Sequence, residues 1–229
     1  GSRGLVLKKD DYEWIDINPD KSLFNIQVQI DGQLQRDGTL TGTVESVQRG
    51  YPAQIIRQQK ADGSSDREIL RQTLFDGYPQ MSVSNVVVKN EEKYGQQIEL
   101  SADFEIQNYA TSFTDGLNFS PMVVGYRNEN PFSGPDRNLP ITLDAPEKLN
   151  LSYSIKLPQG FSVAVDDDRT IMFSGAEFLE RYGNTTEQLN YQYQINIDQR
   201  NFSADYFPSL YKLYDRWVEL SNSSWLIKE

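Results

Sequence analysis

The sequence predicts a mainly β fold: an antiparallel β-sandwich, one large unit or two packed β lobes, with short helices near 53–76 and a C-terminal helix near 204–220. Three observations carry that prediction. Apolar and polar residues alternate with period two along much of the chain, as where Phe24, Ile26, Val28 and Ile30 interleave with Asn25, Gln27 and Gln29. Turn chemistry separates such runs, with Asp37-Gly38 and Pro158-Gln159-Gly160 as the clearest cases. After Asn201 the period becomes helical, with Phe207, Leu210, Tyr211, Tyr214, Trp217 and Val218 spaced three and four apart.

Taken in order, residues 3–20 begin with Leu5-Val6-Leu7, pass a charged turn and return to Trp14-Ile15-Asp16-Ile17, which fits two short strands. The alternation from Leu23, the Asp37-Gly38 turn and the second alternation through Leu40, Gly42, Val44 and Ser46 predict a hairpin over about 23–49. Gly50-Tyr51-Pro52 breaks that pattern. Ala53 and Ile56 suggest a short helix, and a second runs from Ser65 or Asp66 to about Phe75, with Ser65 and Glu68 spaced as a capping box. Residues 81–88 and 96–110 return to β character and are expected to pair antiparallel.

Residues 111–140 crowd Pro131, Pro135 and Pro140 with Ser133-Gly134 and read as a loop-rich boundary. The expected organisation is therefore 1–20 as linker and edge strands, 21–115 as a first β lobe with short helices, and 116–229 as a second β lobe with the C-terminal helix; the two lobes are also compatible with one continuous domain. Strands follow at about 147–157, 161–165, 170–174, 176–183 and 187–199. Ser203 is a candidate N-cap, Pro208 belongs in the first helical turns, and Trp225-Leu226-Ile227 closes the chain as a strand or docked tail.

Composition narrows the chemistry. The 229 residues carry 22 Lys+Arg against 33 Asp+Glu, a net charge of −11 that repels phosphate backbones, so nucleic acid is not an expected partner. The aromatic share of 12% supports a folded core despite a hydrophobic share of only 38%. With no His and no Cys, there is no Ser-His-Asp triad, thiol nucleophile, disulfide or ordinary zinc site. A carboxylate pair, a Ser-Lys pair or a hard-cation site remain, and thirty-three acids produce chance pairs freely. The expectation is a non-catalytic chain without a cofactor. No apolar run approaches the roughly 20 residues of a membrane helix. Gly1-Ser2 reads as a cloning scar, so the numbering is expected to be that of a fragment.

Candidate ligand contacts are few. Asp166, Asp167 and Asp168 form the densest acidic run and offer weak calcium ligands, the alternative being a solvated hairpin turn. Tyr51, Phe113, Phe119, Tyr126 and Phe132, with Tyr78, sit in or beside predicted loops, where aromatics stack on sugars, anchor a protein or pack beneath the loop.

Several motifs occur in a telling order: Arg3-Gly4-Leu5-Val6-Leu7 with Trp14-Ile15-Asp16-Ile17; Asp37-Gly38-Thr39-Leu40-x-Gly42; Gly50-Tyr51-x-Ala53 with Arg57; Asn130-Pro131-Phe132 through Arg137-x-x-Pro140-Ile141; Leu157-Pro158-x-Gly160-Phe161; and Phe207-Pro208-x-Leu210 with Tyr214-Asp215. Together they resemble the C-terminal domain of unknown function that follows the transglutaminase-like core in multi-domain bacterial proteins. The resemblance implies an upstream papain-like core with Cys, His and Asp in the same polypeptide, and a periplasmic or cell-surface location. None of those catalytic residues carries over, because this sequence contains neither Cys nor His. It implies a non-catalytic accessory domain that packs on the core or positions a protein substrate, and hence an apolar docking face. The alternative from the residues is an extracytoplasmic carbohydrate- or protein-binding β-sandwich module.

Overall fold

A computed structural model of the protein describes residues 2–17, 23–78, 80–125, 127, 129–134, 136–163, 167–185 and 187–228. Strands β1 (Ser2–Leu7) and β2 (Tyr12–Ile17) form a hairpin of their own. The predicted second hairpin is β3 (Phe24–Leu34) and β4 (Leu40–Gly50), in register from Phe24 opposite Gly50 to Leu34 opposite Leu40. Its turn is closed by the Thr39 N–H donating to Asp37 Oδ1 at 2.9 Å, and Gly38 takes φ 86°, where only glycine fits against the Ala110 carbonyl.

Helix α1 (Tyr51–Ala61) starts with Pro52 in its first turn, and α2 (Asp66–Leu74) carries the expected capping box. Ser65 Oγ accepts from the Glu68 N–H at 3.3 Å and the Glu68 carboxylate accepts from the Ser65 N–H at 2.8 Å. Strands β5 (Ser82–Lys89) and β6 (Ile98–Ile106) pair antiparallel with a bulge between Ser84 and Val87.

The later elements are β7 (Ala110–Phe113), β8 (Gly116–Phe119), β9 (Ile141–Thr142), β10 (Glu147–Lys156), β11 (Ser162–Val163), β12 (Arg169–Phe173), β13 (Ala176–Asn184), β14 (Gln188–Ile197), β15 (Asn201–Phe202), a 3₁₀ turn (Ala204–Tyr206), α3 (Phe207–Asn222) and β16 (Trp225–Lys228). Ser203 precedes the 3₁₀ turn without a side-chain cap bond, and Pro208 lies in the first turn of α3. The predicted mainly β class with antiparallel sheets and a C-terminal helix is what the chain adopts.

An eight-stranded sheet runs β12-β13-β14-β10-β3-β4-β6-β5. It takes strands from both sides of 111–140 and contains one parallel junction, β10 beside β3 with Glu147 opposite Phe24 and Lys156 opposite Gln33. Period-two patterning sets which face is buried but not strand direction, so this junction was invisible in the sequence. A four-stranded sheet, β11-β16-β8-β7, gathers short distant strands. Its β7–β8 hairpin falls inside the stretch read as loop, because Thr114-Asp115 turns two runs of only four residues each.

The large sheet buries one face. Ile30, Val44, Leu100, Phe104, Leu151, Tyr153, Phe178 and Tyr193 point into a core closed by Ile56 and Ile69 of α1 and α2, by Leu117 and Ile227 of the small sheet, and by Leu210, Leu213 and Trp217 of α3. Helix α3 is tied to the sheet by charge: Arg216 grips the fully buried Glu180 of β13 with Nε and Nη2, at 2.7 and 2.8 Å. Among the described residues, no helix is long and apolar enough to cross a membrane.

Candidate functional site

The hairpin β1–β2 packs chiefly on itself. Its register sets Leu5 opposite Trp14 and Leu7 opposite Tyr12, so these four side chains share one face, with Arg3 lying over the Trp14 ring at 5.5 Å. That face is open to solvent: Leu7 is 77% exposed, Tyr12 62% and Trp14 51%, while Val6 and Ile15 on the opposite face are also exposed. A lone two-stranded ribbon is marginal in water, and a contiguous apolar patch marks a contact surface. Nothing in the described body of the chain covers it.

The outer face of the large sheet offers different chemistry. Gln29, Asp31, Ser152, Ser154, Asn190 and Gln192 line a trough of about 540 Å³, with Arg181 and Asp168 at its side. These groups largely satisfy one another or their neighbours: Gln29 donates to Asp31 at 2.9 Å, Gln192 to Asn150 at 2.8 Å, and Arg181 faces Asp168 at 3.6 Å.

A third feature is a buried strap, residues 120–125, laid between the sheet and α3. Pro121, Met122, Val123 and Val124 are buried without strand partners, so their carbonyls need other donors. Tyrosine hydroxyls supply two of them, Tyr191 donating to Pro121 and Tyr153 to Val124 at 2.7 Å, and Tyr109 donates to the adjoining Ser120 carbonyl. Trp217 Nε1 donates to Gly125 at 2.8 Å. Burial holds the hydroxyls of Tyr109, Tyr153 and Tyr191 well above the ordinary tyrosine pKa. Two positions beyond the strap is Arg127, whose guanidinium lies over Trp217 at 4.4 Å and Tyr214 at 4.9 Å. Beside it, burial raises the pKa of the Glu147 carboxyl, opposed by the Arg127 charge and by the Tyr214 hydroxyl at 3.5 Å.

The residues singled out from sequence do not converge. Tyr51 is half exposed at the start of α1, and Phe113 is exposed on β7. Phe119 is buried and meets Trp225 edge-on at 6.2 Å, so it packs rather than binds. Phe132 is half-buried, edge-on to Phe207 at 5.1 Å and to Tyr214 at 5.5 Å. Tyr126 and Asp166 lie outside the described residues. The strands on either side of the acidic run, β11 and β12, belong to different sheets and do not pair as a hairpin. Asp168 accepts from the Tyr182 N–H at 2.9 Å, Asp167 is exposed, and among the described residues no three or more acids converge as metal ligands. What sequence reasoning missed is Arg127, a lone cation in a loop, which nothing in the periodicity connects to α3.

A family model described as a domain of unknown function with solved-structure structure (DUF3858) matches residues 112–227. Among solved structures, a candidate protease from Parabacteroides distasonis ATCC 8503 matches with a TM-score of 0.42 and 11% identity, over 51% of this chain and 24% of that one. The matched half of this chain thus corresponds to about a quarter of that protein. No curated protein matches.

Proposed function

Because this chain belongs to the DUF3858 family of domains of unknown function, we propose that it is the non-catalytic accessory domain of a transglutaminase-like protein, packed on the catalytic core of the same polypeptide outside the cytoplasm. The observation that carries this reading is the β1–β2 hairpin, whose Leu5, Leu7, Tyr12 and Trp14 form the apolar docking face such a domain needs. The absence of His and Cys supports a role without turnover. The motif Arg3-Gly4-Leu5-Val6-Leu7 with Trp14, part of the resemblance to the domain that follows a transglutaminase-like core, is also the uncovered surface, which supports the core as its occupant.

Trp14 reports the outcome. In the chain described here its emission is expected to be that of a water-exposed indole, and in the intact parent polypeptide to be blue-shifted and shielded from iodide, with Leu5→Ser and Leu7→Ser restoring quenching. A Trp14 equally quenched in both, an upstream reading frame without a Cys-His-Asp core, or turnover by this chain alone would overturn the reading.

The trough favours a second reading, a carbohydrate-binding β module, since amides, hydroxyls and carboxylates on rigid strands suit a polyol. Saturable glycan binding lost in Gln192→Ala would support it, and silence across a broad glycan panel would dismiss it.

A further inference from the structure

We propose that the cavity between the strap, α3 and the start of β10 binds a carboxylate that carries an N–H donor on the adjacent carbon, the group shared by a free α-amino acid and the C-terminus of a peptide. Arg127 receives the carboxylate and Glu147 the N–H. The inference stands apart from the docking reading, since it concerns a cavity in the body of the chain.

The cavity holds about 310 Å³ and is lined by Ile26, Gly125, Arg127, Glu129, Glu147, Leu149 and Trp217. Trp217 lines it and Tyr214 lies behind, their rings 6.2 Å apart and within 14° of parallel, and the Arg127 guanidinium carbon sits over both. A cation held over a ring face uses none of its N–H donors in that contact. Among the described residues no side-chain atom of Arg127 hydrogen-bonds, its Nε is buried without a partner, and no carboxylate lies within ion-pair distance. An arginine placed over two aromatic rings with its fork unused matches a planar two-oxygen acceptor.

Glu147 lines the same cavity and feels the Arg127 charge without reaching it, so an acceptor for one and a donor for the other fit between them. A carboxylate alone would meet repulsion from Glu129 and Glu147, whereas a neighbouring N–H offsets it. The apolar walls, Ile26 and Leu149, suit an aliphatic side chain, and the cavity volume suits one residue.

The test uses leucine, N-acetyl-leucine and leucinamide with the ¹⁵N-labelled chain, following the indole N–H of Trp217 and the Nε–H of Arg127. Saturable millimolar shifts at both signals with leucine or N-acetyl-leucine, absent with leucinamide, are expected. Stronger binding of leucine identifies a free amino acid, and stronger binding of N-acetyl-leucine a peptide end. Arg127→Lys keeps the charge but loses the fork and should weaken binding about tenfold or more. Absence of saturable shifts in the wild-type chain, equal shifts with leucinamide, or unchanged affinity in a folded Arg127→Lys variant would each overturn the assignment.

Discussion

Replacing Arg216 by Met tests how α3 is held on the sheet. Glu180 is fully buried, and its carboxylate accepts from Arg216 Nε at 2.7 Å, from Arg216 Nη2 at 2.8 Å and from the Tyr182 hydroxyl at 2.8 Å. Removal of the arginine leaves a buried carboxylate with one donor. Two charge-assisted bonds at about 1.5–3 kcal/mol each, and the penalty of about 3–5 kcal/mol for breaking a buried pair, converge on a loss near 4 kcal/mol. Against a domain stability of about 5–15 kcal/mol, that is a large fraction. Glu180→Leu should cost less, because the Arg216 side chain is 14% exposed and keeps Glu219 at 3.0 Å. The double variant, with two apolar side chains in the same space, should lie within about 1 kcal/mol of wild type. Urea unfolding followed by tryptophan emission, with m unchanged, measures all three. If the double variant costs the sum of the singles, the pair is not coupled and the account of α3 anchoring fails.

Other consequences follow from the same geometry. Arg57, 7% exposed, donates to the carbonyls of Asn90, Glu91, Lys93 and Gln96 at 2.7–3.3 Å, so Arg57→Ala should cost about 2–4 kcal/mol and speed hydrogen exchange selectively over 90–97. Gly50 has φ 68°, and an added Cβ would overlap the Leu23 carbonyl; Gly50→Ala should lower stability by about 1–3 kcal/mol or more, read as a fall in Tm. Burial raises the pKa of Tyr109, Tyr153, Tyr182, Tyr191, Tyr193 and Tyr214. Their folded pKa exceeds the unfolded value of about 10, so the stability they contribute is complete below that pH and declines as pH rises above it. Ultraviolet titration should therefore ionise only part of the thirteen tyrosines before a cooperative step that coincides with loss of near-UV dichroism.

Local chemistry was legible wherever a few adjacent residues decide the outcome. The β3–β4 turn, the Ser65–Glu68 capping box and the alternation of β10 and β14 need no distant information. What depends on distant partners was not. The parallel junction of β10 with β3 joins residues more than a hundred positions apart, β8 is too short to carry a period, and the expected strands at β11 and β16 gave no sign that they pair with each other. Burial of Phe119 was equally hidden, because a loop aromatic has the same sequence appearance whether it is covered by Trp225 or open to water. Conversely, Leu5, Val6, Leu7 and Trp14 look like ordinary core residues in the sequence. Their exposure arises because, among the described residues, no layer lies above or below the two-stranded ribbon they form.

The strap explains why Arg127 could not be found from periodicity, and it makes one more test possible. Met122-Val123-Val124 is apolar without alternating, and its burial depends on donors sent from the β6–β7 turn, β10, β14 and α3. Those bonds also fix where the strap ends, and Arg127 follows Val124 by three residues. Tyr153→Phe removes only the donor to the Val124 carbonyl, an acceptor that then sits buried and unpaired at a cost of about 1–3 kcal/mol. The strap can recover part of that loss by shifting toward water. If the guanidinium owes its place over Trp217 to the strap, that shift should weaken leucine or N-acetyl-leucine binding and move the Trp217 indole signal, although Tyr153 does not line the cavity. A Tyr153→Phe chain that loses stability but keeps the indole signal and the affinity would show instead that stacking on α3 alone positions Arg127.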